Sequence, residues 1–251
     1  MRNIVAAFLV MLAGIGGVRA QQSETCEVPG YLLFGDSLLE RVTAAVAKDH
    51  ALKIAVIGTA SSTLSGSGGA RDAYPARLEA TLRNLLPSVS VDVVVSAKPR
   101  QTAEKTAKAF DKLLLEEKPK LVIWQTGTFD AMQGIDPKEF LTGLTDGVEK
   151  LQSRGADVIL VNMQYSPRTE SVFAIGAYVD NMRWVARERQ VPLFDRLAIM
   201  RHWNDTGAID LYAATKDITI AKRVHDCVGR ALASLIIDAA RLNASESKAP
   251  R

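Results

Sequence analysis

The chain has only two cysteines and three histidines in 251 residues, and these shortages exclude whole classes of chemistry. Two cysteines with no histidine at ligand spacing cannot build a structural zinc site, which takes four Cys or His ligands. No metal and no cofactor is expected. The three histidines, His50, His202 and His225, leave few choices for a general base. Neither sign of charge dominates, with 31 basic against 28 acidic residues, so nothing points to nucleic acid or an anionic membrane as partner. No apolar run reaches the about 20 residues that a membrane-spanning helix needs. Internal repeats and low-complexity linkers are also missing.

What is present is the composition of an ordinary globular domain, 47% hydrophobic and 24% charged. Residues 1–20 stand apart: Met1-Arg2-Asn3, an apolar stretch from Ile4 to Val18 broken only by glycines, then Val18-Arg19-Ala20 with small residues three and one before a cut. This reads as a secretory signal peptide, with a retained N-terminal anchor as the alternative. Its removal takes away Arg2 and Arg19, leaving 29 basic against 28 acidic residues and no stable membrane insertion. The expected layout is a signal over 1–20, an arm and helix over 21–51, the main domain over 52–242 and a disordered tail over 243–251. The expected location is periplasmic or secreted. Cys26 and Cys227 lie near the two ends of the mature chain, where an oxidising compartment can keep them bridged. Two buried free thiols are the other arrangement.

The chain is organised around Lys53–Gly69. A β-branched apolar run from Leu52 to Ile57 stops at Gly58 and yields to Thr59-Ala60-Ser61-Ser62-Thr63. That pattern predicts a buried strand delivering a hydroxyl-bearing loop. In open α/β sheets such loops form the ligand crevice, so Ser61 is the candidate nucleophile and Ser62 the alternative. Further strands are predicted at Val89–Val95, Lys120–Gln125, Asp157–Asn162 and Val191–Phe194. Helices are predicted at Tyr74–Leu86, Thr102–Glu117, Pro137–Arg154, about 175–190, and Ile218–Ala240. Alternation throughout implies a parallel five-stranded sheet in a three-layer αβα sandwich. Earlier, Gly35-Asp36-Ser37-Leu38 precedes a helical pattern, and Ser37 with Glu40 reads as an N-cap and capping box.

Together these segments resemble the SGNH hydrolases, the group that contains the GDSL esterases, over nearly the whole mature chain. The likeness rests on Ile57-Gly58 with Ser61-Ser62-Thr63, Tyr74-Pro75-Ala76-Arg77-Leu78-Glu79, Trp124-Gln125-Thr126-Gly127-Thr128, Gln164-Tyr165-Ser166-Pro167 and Met200-Arg201-His202-Trp203. It implies the flavodoxin-like fold of that group and an ester hydrolase with a serine nucleophile. The sequence departs from the family pattern at four places. Ala60 stands two residues after Gly58, where the nucleophile belongs, so Ser61 needs a one-residue slip. Ser96-Ala97-Lys98-Pro99-Arg100-Gln101 replaces a glycine-rich block, Phe129 replaces the oxyanion Asn, and Lys222 replaces the Asp three residues before the histidine.

By that register His225 is the base, with Asp217 or Asp226 as orienters. The alternative for His225 is a partly buried residue capping the last helix beside Cys227. Arg100, Thr128 and Phe129 are the expected oxyanion or cleft-lining residues, Arg100 because a guanidinium brings several donors and a fixed charge. His50 belongs at the wrong end of the sheet, and His202 packs beside Trp203. The expected substrate is a small-molecule or carbohydrate ester carrying acetyl or short acyl groups. A relative without catalysis, binding a glycan or a cell-envelope component in the same cleft, is the competing expectation.

Overall fold

The computed structural model describes residues 26–33, 37–66, 68–167, 174–213 and 217–242. The expected signal peptide, the C-terminal tail and Gly35-Asp36 lie outside them. Helix α1 (Glu40–Asp49) leads into strand β1 (Ala51–Gly58), a single 3-10 turn (Ala60–Ser62), α2 (Gly69–Asp72) and α3 (Tyr74–Leu85). Then come β2 (Ser90–Ala97), α4 (Ala103–Lys108), α5 (Phe110–Glu117), β3 (Leu121–Gln125), α6 (Thr128–Gln133) and α7 (Pro137–Ser153). The chain closes with β4 (Asp157–Val161), α8 (Gly176–Glu188), β5 (Leu193–Phe194), α9 (Arg196–Asp205) and α10 (Ile218–Ala239).

The five strands form one sheet in the order β2-β1-β3-β4-β5, and every neighbouring pair is parallel. Every residue of β3 and β4 is buried, as expected of strands covered by helices on both faces. The fold is the expected three-layer αβα sandwich. Leu78 and Leu82 of α3 pack into the core with Leu232 and Ile236 of α10, and Phe140, Leu144 and Val148 of α7 do the same with Trp124 of β3.

Two local expectations are corrected. Ser37 does not cap α1, which starts at Glu40 with Leu39 at the N-cap and no side-chain cap bond. Its free N–H groups find a partner from the sheet instead: Asp157, the first residue of β4, accepts from Arg41 N at 2.8 Å and Val42 N at 3.0 Å through Oδ2. The helix expected over 102–117 is two helices, because the turn tightens where Ala109 N–H reaches back only three residues, to Thr106 O. The sheet's outer strand β2 is also tended from α3, where Arg83 donates to Val91 O from Nε at 3.1 Å and Nη2 at 2.9 Å.

A disulfide joins Cys26 to Cys227 on α10, with Cα atoms 5.2 Å apart. Trp203 Nε1 donates to Glu27 O at 3.0 Å, so the arm is held at two adjacent points.

Candidate functional site

Because the strands are parallel, their carboxyl ends share one edge, and the loops leaving Gly58, Gln125, Val161 and Phe194 meet there. His50 sits at the opposite edge, between α1 and β1, in a left-handed conformation with φ 49°. It cannot take part.

The turn after β1 separates the two serines. Ser62 is 1% exposed, and its Oγ donates to Gln125 Oε1 at 2.9 Å with Tyr74 OH 3.2 Å away. It has no open face toward a substrate. Gly58 permits this packing, since a Cβ there would overlap Ser62 Oγ. Ser61 faces the crevice, and its Oγ accepts from Gln125 Nε2 at 2.6 Å, with Thr59 Oγ1 at 3.3 Å and Arg196 Nη1 at 3.4 Å. Gln125, at the end of β3, thus holds both serines at once.

Arg196 enters on the first residue of α9, directly after β5, and is 1% exposed. It donates from Nη1 to Gln125 Oε1 at 3.1 Å and Ser61 O at 3.3 Å, and from Nη2 to Gln164 Oε1 at 3.3 Å. Its guanidinium also lies over the Tyr74 ring, 5.6 Å from the centroid. Burial pushes its pKa down to about 10, so it stays charged at neutral pH. Burial raises the Tyr74 phenol, against the pull of the Ser62 hydrogen bond and the Arg196 charge.

His225 lies two turns inside α10 and is 6% exposed. Its Nδ1 accepts from Tyr74 N at 3.0 Å. Tyr74 opens α3, whose N-cap Ala73 has no side chain to offer, so the imidazole satisfies a helix N-terminal donor. The consequence is a fixed tautomer: a neutral ring that accepts at Nδ1 carries its proton at Nε2. Burial first, and the Arg196 charge second, push its pKa down to about 3. The positive end of α3 acts in the same direction.

Ser61, Arg196, Gln164 and His225 line one cleft of about 250 Å³, with Leu64, Met200, Leu211 and Val224 among its apolar walls. No hydrogen bond joins Ser61 to His225 among the described residues. Arg100, Thr128 and Phe129 are not among the described residues lining this cleft. Arg100 is exposed with φ 57°, and Thr128 and Phe129 are half-buried in the first turn of α6. Lys222 pairs with Asp72 at 2.9 Å. Asp217 caps α10 through Thr219 N at 2.7 Å, and Asp226 pairs with Arg230 at 2.9 Å. Neither acid orients His225.

Sequence reasoning missed Arg196 and the roles of Gln125, Gln164 and Tyr74. Gln125 and Tyr74 stand inside motifs that carried the resemblance, but as landmarks. For Arg196 the available signal was position, a basic residue immediately past the carboxyl end of a strand.

The sequence profile of the non-GDSL lipase-like family matches residues 25–242. No curated protein matches the chain. Among solved structures, TesA aligns with TM-score 0.57 and 22% identity over 73% of this chain and 99% of its own. A variant of an acetyl xylan esterase from Geobacillus stearothermophilus aligns at 0.59 and 19% over 74% and 94%. A two-domain esterase active on acetylated mannans aligns at 0.67 and 17%, over 86% of this chain but 57% of its own. At these identities the likeness is one of fold.

Proposed function

The chain belongs to the non-GDSL lipase-like family, and on that premise we propose that it is an exported hydrolase of ester bonds, acting on acetyl or short acyl groups carried by a carbohydrate. Ser61 is the nucleophile and His225 the base. The observation that carries this reading is the placement of Ser61 Oγ in the crevice, held by Gln125 Nε2 and beside a buried guanidinium. Two structural neighbours act on acetylated polysaccharides, which supports the substrate class. Export rests on residues 1–20 and on the bridged Cys26 and Cys227. Among the described residues, no helix is long and apolar enough to cross a membrane.

In this reading Ser61 Oγ attacks the acyl carbon and its proton passes to His225 Nε2. Arg196 adds a fixed positive charge where the carbonyl oxygen becomes negative. The alcohol leaves with a proton returned by His225, and water then releases the acid from Ser61. For His225 to accept, its resting proton must leave Nε2, so the Tyr74 N–H bond to Nδ1 has to break first.

That requirement supports a second reading, a relative that binds a glycan or cell-envelope component without turnover. Purified protein offered p-nitrophenyl acetate and acetylated xylo-oligosaccharides separates the two. Turnover that falls by about 10²-fold or more in Ser61→Ala is expected of the hydrolase. Wild-type activity no greater than that of Ser61→Ala would leave the binding reading standing.

A further inference from the structure

Among the described residues, the cleft contains a cation without a counter-ion. Four acceptors surround the Arg196 guanidinium at 3.1–3.4 Å, namely Ser61 O, Ser61 Oγ, Gln125 Oε1 and Gln164 Oε1, and all four are uncharged. Among the described residues its Nε has no acceptor. The adjacent acid does not help. Asp195 is engaged elsewhere, with Arg183 at 2.8 Å, Asn162 Nδ2 at 2.7 Å and Ala198 N at 3.0 Å. Among the described residues lining the cleft there is no carboxylate.

Buried charges in proteins are normally paired, because removing an ion from water is costly unless an opposite charge and hydrogen bonds replace the solvent. Here the opposite charge is missing from the described cleft, and the cation is one of its lining residues although only 1% exposed. Two other polar groups in that lining reinforce the sign. Ser61 can donate its hydroxyl proton, and His225 is neutral with its proton on Nε2, so it too is a donor. Leu64, Met200, Leu211, Ala221 and Val224 supply apolar wall, with Thr63, Tyr165 and Ser166 beside them. At ~30 Å³ of liquid volume per water, the cleft of about 250 Å³ holds the equivalent of about eight waters, a body of roughly eight non-hydrogen atoms.

We infer that this cleft binds a small monocarboxylate, its carboxylate against Arg196 and its short apolar body among Leu64, Met200, Leu211 and Val224. Arginine meets carboxylates with charge-assisted, directional hydrogen bonds that a neutral amide cannot reproduce. A carboxylate is also what ester hydrolysis releases. The inference nevertheless stands on the unpaired guanidinium and not on turnover, so a chain without esterase activity would bind the anion equally well, and the two readings fail separately.

Isothermal titration of the wild-type protein with hexanoate and with hexanamide, at low ionic strength, tests it without any mutation. The acid is expected to bind about tenfold or more tighter than the amide, the scale of a hydrogen bond to a charged group. Gln164→Glu supplies the second arm. Gln164 is exposed, so the change spares the core, but it places a resident carboxylate 3.3 Å from Nη2. Hexanoate binding is expected to weaken by about tenfold or more in a variant whose melting temperature is preserved. Equal affinity for acid and amide would overturn the inference. So would full hexanoate affinity in Gln164→Glu, or no hexanoate binding by the folded wild type.

Discussion

Acid should unfold this protein through His225, and the size of the effect follows from its surroundings. The ring is neutral in the fold with a pKa pushed down to about 3, against 6.5 in the unfolded chain. Between those values the unfolded state binds one more proton than the folded state, so stability falls as pH falls from 6.5 toward 3. Each unit across that window costs at most 1.36 kcal/mol. Lowering pH from 7.5 to 5.0 therefore removes about 2 kcal/mol through this residue, since little is lost before 6.5. Burial also raises Asp130 and Asp157, and a raised carboxylate opposes the loss, because its fold gains on protonation. Their share is removed by comparison with His225→Asn, whose side-chain oxygen can still accept from Tyr74 N–H. Urea titrations of both proteins at the two pH values provide the difference. The wild type should lose about 2 kcal/mol more than the variant. If the two lose the same amount, His225 is charged in the fold or reaches solvent, and the tautomer assigned from Nδ1 is wrong.

Asp157→Ala should lower stability by about 1–2 kcal/mol, the scale of a lost N-cap, while Asp157→Asn keeps an acceptor for Arg41 and Val42 and loses less; thermal melts rank the pair. Reducing Cys26–Cys227 opens a link across 201 positions, worth roughly 5 kcal/mol in the chain-entropy picture, and a melting temperature unmoved by reductant would contradict it. Gly58→Ala pushes Ser62 off Gln125 and Tyr74 and should cost about 1–3 kcal/mol as overpacking, visible as a lowered urea midpoint.

The fold was legible because its signals are local and repeated. Runs such as Leu-Val-Ile-Trp at 121–124 and Val-Ile-Leu-Val at 158–161, short, β-branched and alternating with helical patterns, read as buried parallel strands. Ser37 misled because a capping box satisfies the local pattern, whereas the acceptor that α1 uses, Asp157, lies 116 positions from Arg41. Of the candidate site residues chosen from the sequence, Ser61 and His225 are the ones the structure brings to one cleft. What His225 does there depends on Tyr74 N–H, 151 positions away, which no spacing rule connects to it. Arg196 was invisible for a related reason: a basic residue is expected at the surface, and only the assembled loops show it enclosed by Gln125, Gln164 and Ser61.

The contact between Arg83 and Val91 bears on how this protein behaves in company. A parallel sheet has two open sides, and each offers unpaired backbone groups to any passing strand. On one side β5 is two residues long, too short to template a partner. On the other, β2 runs for eight residues with Val95 well exposed, and there a guanidinium already occupies the Val91 carbonyl. A second chain extending the sheet along Val91 would have to displace a charged side chain to make its ladder bond there, so the same arginine that fastens α3 to the sheet also blocks one position of this edge to a passing strand.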